Sequence, residues 1–231
     1  MSKWMRLVLC AGLVLLASSA VAQGLTILNI DGFLYESDNA ASVVGFPPSN
    51  PGDVLAGVGL VTGIDPPLSW SSTDYLYSWM IDGLVSTGAF DMGGGESLIV
   101  YIGGALEIVA QAYAGPGYTV PDYGTEPPNA TAPATFVDGN PYLHGVFTSF
   151  YMFYNATTHT GHYEGTLNFT LGSNLGELAN PYGYTLAGTV DPNGAITIPT
   201  GYDLEAVGHV DFDSTIPVQD STWGGVKNLY R

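Results

Sequence analysis

The chain has 231 residues, 46% of them hydrophobic and only 11% charged, with a formal net charge of −17 at pH 7. Its four cations, Lys3, Arg6, Lys227 and Arg231, sit at the two ends, so no lysine or arginine occurs from 7 to 226. That layout excludes nucleic acid as a partner and disfavours anionic membranes and phosphorylated substrates, which all need a cationic footprint. A carboxylate buried in this body must be hydrogen-bonded, neutral or metal-bound, because no cation is there to pair with it.

Residues 1–22 read as a secretory signal peptide: Lys3 and Arg6, then an apolar run from 7 to 16, then Ala20-Val21-Ala22 as a small-residue cleavage site. The run is too short to span a membrane, and no later stretch qualifies. Cleavage after Ala22 removes Cys10, the single cysteine, so the exported chain has no disulfide. The expected organisation is a signal peptide at 1–22, one β-domain at 23–213 and a separate tail at 214–231.

In chain order, strands are expected at 25–35, 53–64, 75–82, 98–102, 105–113, 146–154, 166–171, 182–190 and 204–212. Alternation marks several of them as half-buried. Tyr75, Tyr77, Trp79 and Ile81 share one face. Leu167, Phe169 and Leu171 oppose Thr166, Asn168 and Thr170, while Leu204, Ala206, Gly208 and Val210 oppose Glu205, Val207, His209 and Asp211. Strands 98–102 and 146–154 are apolar on both faces, as central strands would be. With 31 glycines and 15 prolines, no long helix has room. Turns such as Gly93-Gly94-Gly95 and Asp138-Gly139-Asn140-Pro141 separate the strands. The pattern predicts an all-β fold, an antiparallel, jelly-roll-like β-sandwich of nine or ten strands. A small outer-membrane barrel is disfavoured, because the strands carry no consistent lipid-facing band. Residues 114–133, rich in Pro and Gly, form a long loop and mark a candidate binding edge.

The stretch from Gly52 through Ile64, the Phe136-Val137-Asp138-Gly139 turn and Gly165-Thr166-Leu167 resemble features of uncharacterised exported bacterial β-sandwich proteins, many of which carry a PEP-CTERM sorting tail. The resemblance implies a β-sandwich and export to a surface or extracellular matrix. The Pro-Glu-Pro signal, apolar helix and basic cluster of that tail are absent. Instead Thr222-Trp223-Gly224-x-x-Lys227-x-Leu229-Tyr230-Arg231 is similar to a short terminal motif of other exported bacterial proteins, which implies a sorting element read by export machinery. A terminal strand or turn whose Trp223, Val226 and Leu229 cap the domain is the plain alternative.

Candidate chemistry is sparse. His209 and Asp211 share a strand face ~7 Å apart and could hold one ion, with Glu205 ~13 Å from His209; a solvated outer face explains the same row. His159 and His162 fall where a hairpin turn is expected, and zinc needs more converging ligands than they supply. His144 reads as a hydrogen-bonded core residue. No nucleophile motif occurs, and sequence cannot pair Glu96, Glu107, Glu164 or Glu177 into a glycosidase dyad. Calcium is the ion that suits an oxygen-rich, anionic chain; Asp138, Asn140 and Asp191-Pro192-Asn193-Gly194 offer oxygens in tight loops, which Asx turns also explain. Tyr118 and Tyr123 in the long loop, with Asp138 and Asn140, make the candidate ligand edge. The Asn129, Asn155 and Asn168 sequons matter only in a eukaryotic secretory host.

The expected function is therefore a secreted or cell-surface, non-enzymatic protein with a structural, matrix or adhesive role. A carbohydrate-binding module, with calcium as an optional ion, is the second reading and a secreted hydrolase the third. No cofactor is required. A polysaccharide or surface-matrix component is the expected partner, with export machinery a second through the tail.

Overall fold

Eight strands form where alternation or apolar runs occur: β1 (Leu25–Ser37), β2 (Val54–Ile64), β3 (Tyr75–Gly93), β4 (Glu96–Ala112), β5 (Asn140–Asn155), β6 (Thr160–Leu171), β7 (Tyr184–Asp191) and β8 (Leu204–Phe212). The computed structural model describes residues 24–37, 46, 48–113, 120–123, 135–192 and 197–212. The expected signal peptide and tail lie outside them, as does most of the 114–133 loop. Thr26–Phe212 forms one compact unit.

Each strand pairs antiparallel with the next, and the sheet closes into a barrel in the order β1 to β8. Side chains and loop backbone stitch the β8–β1 seam. The Thr26 hydroxyl donates to Asp211 Oδ1 (2.7 Å), Asp203 N–H to the Leu34 carbonyl (2.9 Å) and Glu36 N–H to Asp203 Oδ2 (3.0 Å). The all-β, antiparallel expectation holds, but the two-sheet sandwich of nine or ten strands gives way to one closed eight-stranded sheet.

Two of the expected strands, 98–102 and 105–113, are one strand. Gly103 and Gly104 adopt φ of 74° and 81° within β4, opposite Gly83 (φ 76°) in β3, so the ribbon bends there without ending. Side-chain residues rarely adopt that backbone, whereas glycine does so freely, and such kinks curl a sheet until its edges meet. Closure leaves strands 98–102 and 146–154 with one face inward only. Ile102 and Val146, expected to be covered, are exposed.

The interior is filled by large rings. Trp79 is fully buried, and its indole lies over the glycines of β1 and β2: a methyl on Gly32 or Gly59 would fall 2.7 or 2.6 Å from it. Its Nε1–H donates to the Asp31 carbonyl (3.1 Å). Tyr163 uses the same device on the far side, where Gly188 and Gly208 face each other across β7 and β8 beneath its ring. Phe150 packs between Tyr101, Phe147 and Tyr163 at centroid distances of 5.3–5.9 Å. Outward positions include Thr62, Thr87, Thr148 and Thr170, all exposed. Apolar residues stand among them, for Ile102, Val146, Leu171 and Val207 are exposed as well, so the outer face is mixed while the interior is apolar. No helix among the described residues is long and apolar enough to cross a membrane.

A second, smaller cluster lies outside the barrel wall. Phe33, Tyr35, Ala56 and Val58, on the outer face of β1 and β2, are covered by Phe136 and Tyr202 with Tyr123 and Ile198. Loop segments 120–123, 135–136 and 197–202 thus make a partial second layer over one side.

Candidate ligand-binding site

The up-and-down order sorts the connections into two ends. The β2–β3, β4–β5 and β6–β7 connections gather at the first end; those after β1, β3, β5 and β7 gather at the second.

At the first end the mouth opens as a cleft of ≈570 Å³, within the range of small-molecule sites, and barrel mouths are a usual place for them. The alternation that buries Trp79 and Ile81 also carries Tyr75 and Tyr77 to the mouth. There Tyr77 meets Tyr142 edge-to-face (5.2 Å) and Tyr75 obliquely (6.2 Å). Trp70 and Tyr75 remain 41% and 37% exposed. Ser69, Ser71, Asn140, Ser173 and Asn174 supply the polar lining.

The loop that presents Trp70 is held on both sides. Ser69 donates its N–H and its hydroxyl to the two oxygens of Glu177 (2.7 Å each), a residue of the 3-10 turn Leu175–Glu177. Tyr142 OH donates to the Ser69 carbonyl (2.6 Å), Ser71 N–H reaches Tyr77 OH (3.3 Å), and Leu68 is buried beneath. Partial burial opposes ionisation of Glu177, but the Ser69 hydrogen bonds outweigh it and hold this carboxyl below its ordinary range. Burial, with Glu177 nearby, pushes the Tyr142 phenol up, and burial does the same to Tyr77. Both phenols therefore stay neutral. The cleft offers ring faces, hydroxyls and amides. Two carboxylates flank it, Glu177 held by Ser69 and Asp74 by the Ser71 hydroxyl.

Of the residues expected at a ligand edge, Asn140 lines this cleft and Asp138 is exposed two positions before it. Tyr123 does not join them. It packs against Phe33 (4.9 Å), Phe136 (5.0 Å) and Tyr202 (6.0 Å) in the outer cluster, where burial first and Asp31 second push its phenol up to about 12. Tyr118 lies outside the described residues, as do Trp223, Gly224, Lys227, Leu229, Tyr230 and Arg231. Alternation placed Tyr75 and Tyr77 on one strand face. The mouth itself went unseen: Ser69 and Trp70 lie in the β2–β3 connection, Tyr142 at the start of β5 and Glu177 in the β6–β7 connection, far apart in sequence. The available signal was a tryptophan in the Ser69-Trp70-Ser71-Ser72 turn between two strands.

His209 and Asp211 do meet, as a pair at 3.3 Å on the outer face of β8. Asp211 also accepts from Thr26, and Glu205 is buried rather than solvated as its polar strand face implied. Among the described residues no three His, Asp or Glu side chains converge as a metal set. His144 is only partly buried, opposite Glu107 on β4, and His159 occupies the β5–β6 turn with φ 59°. Glu96 and Glu107 lie eleven positions apart on β4, Glu164 is on β6 and Glu177 in the 3-10 turn.

The second end buries carboxylates, Glu36 and Asp53 among them. Glu36, pointing inward from β1, is 8% exposed, and Tyr101 OH donates to its Oε2 (2.7 Å). Burial drives its carboxyl up to about 7; hydrogen bonds from Ser49 and Tyr101 oppose the rise, and Asp53 and Asp203 add to it. The segment above it is tied to β3 by the Ser49–Ser86 hydroxyl pair (2.6 Å), Gly52 N–H to the Ser86 carbonyl (2.8 Å) and Ser86 N–H to the Asp53 carbonyl (2.8 Å). With no cation in the body, protonation is the available route to neutralising Glu36.

Comparison with family models, curated proteins and solved structures finds no match to this chain.

Proposed function

We propose that the protein is an exported, non-enzymatic carbohydrate-binding barrel with a matrix or adhesive role, taking a neutral glycan in the first-end cleft. One observation carries the reading: Trp70 and Tyr75 stay exposed on a mouth whose loop is pinned from two sides and whose polar lining is hydroxyl and amide. Aromatic faces stack on the C–H faces of sugar rings, while Ser, Asn and Tyr side chains both donate to and accept from sugar hydroxyls. A loop held in place before binding loses less entropy on binding. A body without cations repels uronate or sulfate chains, which favours uncharged sugars.

The direct test is calorimetric titration of the full chain with cellohexaose, whose equatorial hydroxyls leave flat C–H faces. Binding that disappears in Trp70→Ala at unchanged melting temperature supports the reading; equal binding by the variant removes it. The tail at 214–231 fits a sorting role. Deleting 222–231 then shifts the protein between cell-surface and medium fractions, and an unchanged distribution counts against it.

A further inference from the structure

The outer face of β5 carries aromatic rings that the core does not use. Because Met152 and Tyr154 fill the interior, Tyr151 and Phe153 point outward, and register sets Phe153 opposite His162 on β6. The Phe153 and His162 rings stack at 4.9 Å with an interplanar angle of 22°, and Tyr151 meets Phe153 edge-on at 5.7 Å. His162 is exposed. The strip ends in an open groove of ≈600 Å³ at the second end, lined also by Glu96, Asn155, Thr158, Thr189 and Asp191.

We propose that this groove is a second glycan-binding site, so that one molecule bridges two sugar chains, an inference that rests on the carbohydrate reading of the first-end cleft. The stacked Phe153–His162 pair provides the platform for a sugar face. The carboxylates, the amide and the threonines make an edge rich in acceptors, and sugar hydroxyls are donors that match it. An uncharged or amine-bearing β-linked chain fits; a polyanion does not, because Glu96 and Asp191 stand at the edge. β5 runs from Asn140 at the first mouth to Asn155 at this groove, ~50 Å along the strand, so the two sites face opposite ways. Bivalence of this kind turns a binding module into a cross-linker of a matrix.

Calorimetric stoichiometry with cellohexaose on the full chain separates the cases. Two sugars per chain are expected, falling to one in Trp70→Ala and to one in Phe153→Ala/His162→Ala, with His162→Ala alone weakening the second site at least threefold without altering the melting temperature. The native chain should precipitate a long soluble β-1,4-glucan, and either single-site variant should not. One sugar per chain, lost with Trp70→Ala and untouched by the Phe153 and His162 changes, overturns the second groove and leaves the first. One sugar, lost only with the Phe153 and His162 changes, overturns the first-end reading instead. No binding in any variant overturns both.

Discussion

A methyl group placed on Gly59 would lie 2.6 Å from the Trp79 indole nitrogen and 2.1 Å from the Asp31 carbonyl oxygen that this nitrogen donates to. Gly59 and Trp79 are direct partners across β2 and β3, so the smallest residue and the largest core ring define each other. Gly59→Ala should cost about 3 kcal/mol or more, since backbone as well as indole must move. Trp79→Ala should cost about 3–5 kcal/mol through the void it leaves. Urea unfolding of the full chain checks both, and a Gly59→Ala midpoint equal to that of the native chain contradicts the close fit.

Glu36 gives the barrel an inverse pH dependence. Its folded carboxyl titrates at about 7 against an ordinary 4.5, so between those values the folded state binds the extra proton. Stability from this group is complete below pH 4.5 and is lost as pH rises through 7, a change of about 3 kcal/mol. Melting temperature should therefore fall from pH 5 to pH 8, and Glu36→Gln should flatten that slope. A native curve that rises over the interval contradicts the assignment.

Glu177 acts in the opposite sense at the other end. Its carboxyl is held below the ordinary range by Ser69, so the clip is present above the ordinary carboxylate pKa and is lost as pH falls through the depressed one. Acidification should loosen the Trp70 loop while protonation of Glu36 stabilises the barrel. Glu177→Gln should weaken cellohexaose binding two- to tenfold with little change in melting temperature, a split that calorimetry and thermal melting measure together. Unchanged affinity would show that the clip does not position Trp70.

Calcium should leave the barrel unmoved. His209 and Asp211 have Thr26 beside them and no third metal-ligating side chain among the described residues. Melting of the full chain in calcium and in EDTA should agree within a degree. A rise of several degrees in calcium would contradict this and reveal a native-state ion site.

Much of the site was illegible because its parts are local to nothing. The Tyr75–Tyr77 face follows from period-two alternation alone, and Asn140 from turn chemistry. Nothing in the order of residues says that Ser69 meets Glu177 across 108 positions, or that Tyr123, in a loop suited to binding, folds onto Phe33 instead. Glu205 belonged to a polar strand face and was still buried.

By itself the sequence determined an all-β, antiparallel chain and a body without cations, because alternation, glycine and proline content and charge are local properties. Tertiary structure decided that the sheet closes, since that depends on Gly83, Gly103 and Gly104 bending two long strands together rather than ending them. It also decided where the rings go. Trp79 is buried because glycines from two other strands meet beneath it, and Trp70 is exposed because its loop is clipped across the mouth. Both placements are set by contacts between residues distant in the chain, which no local pattern encodes.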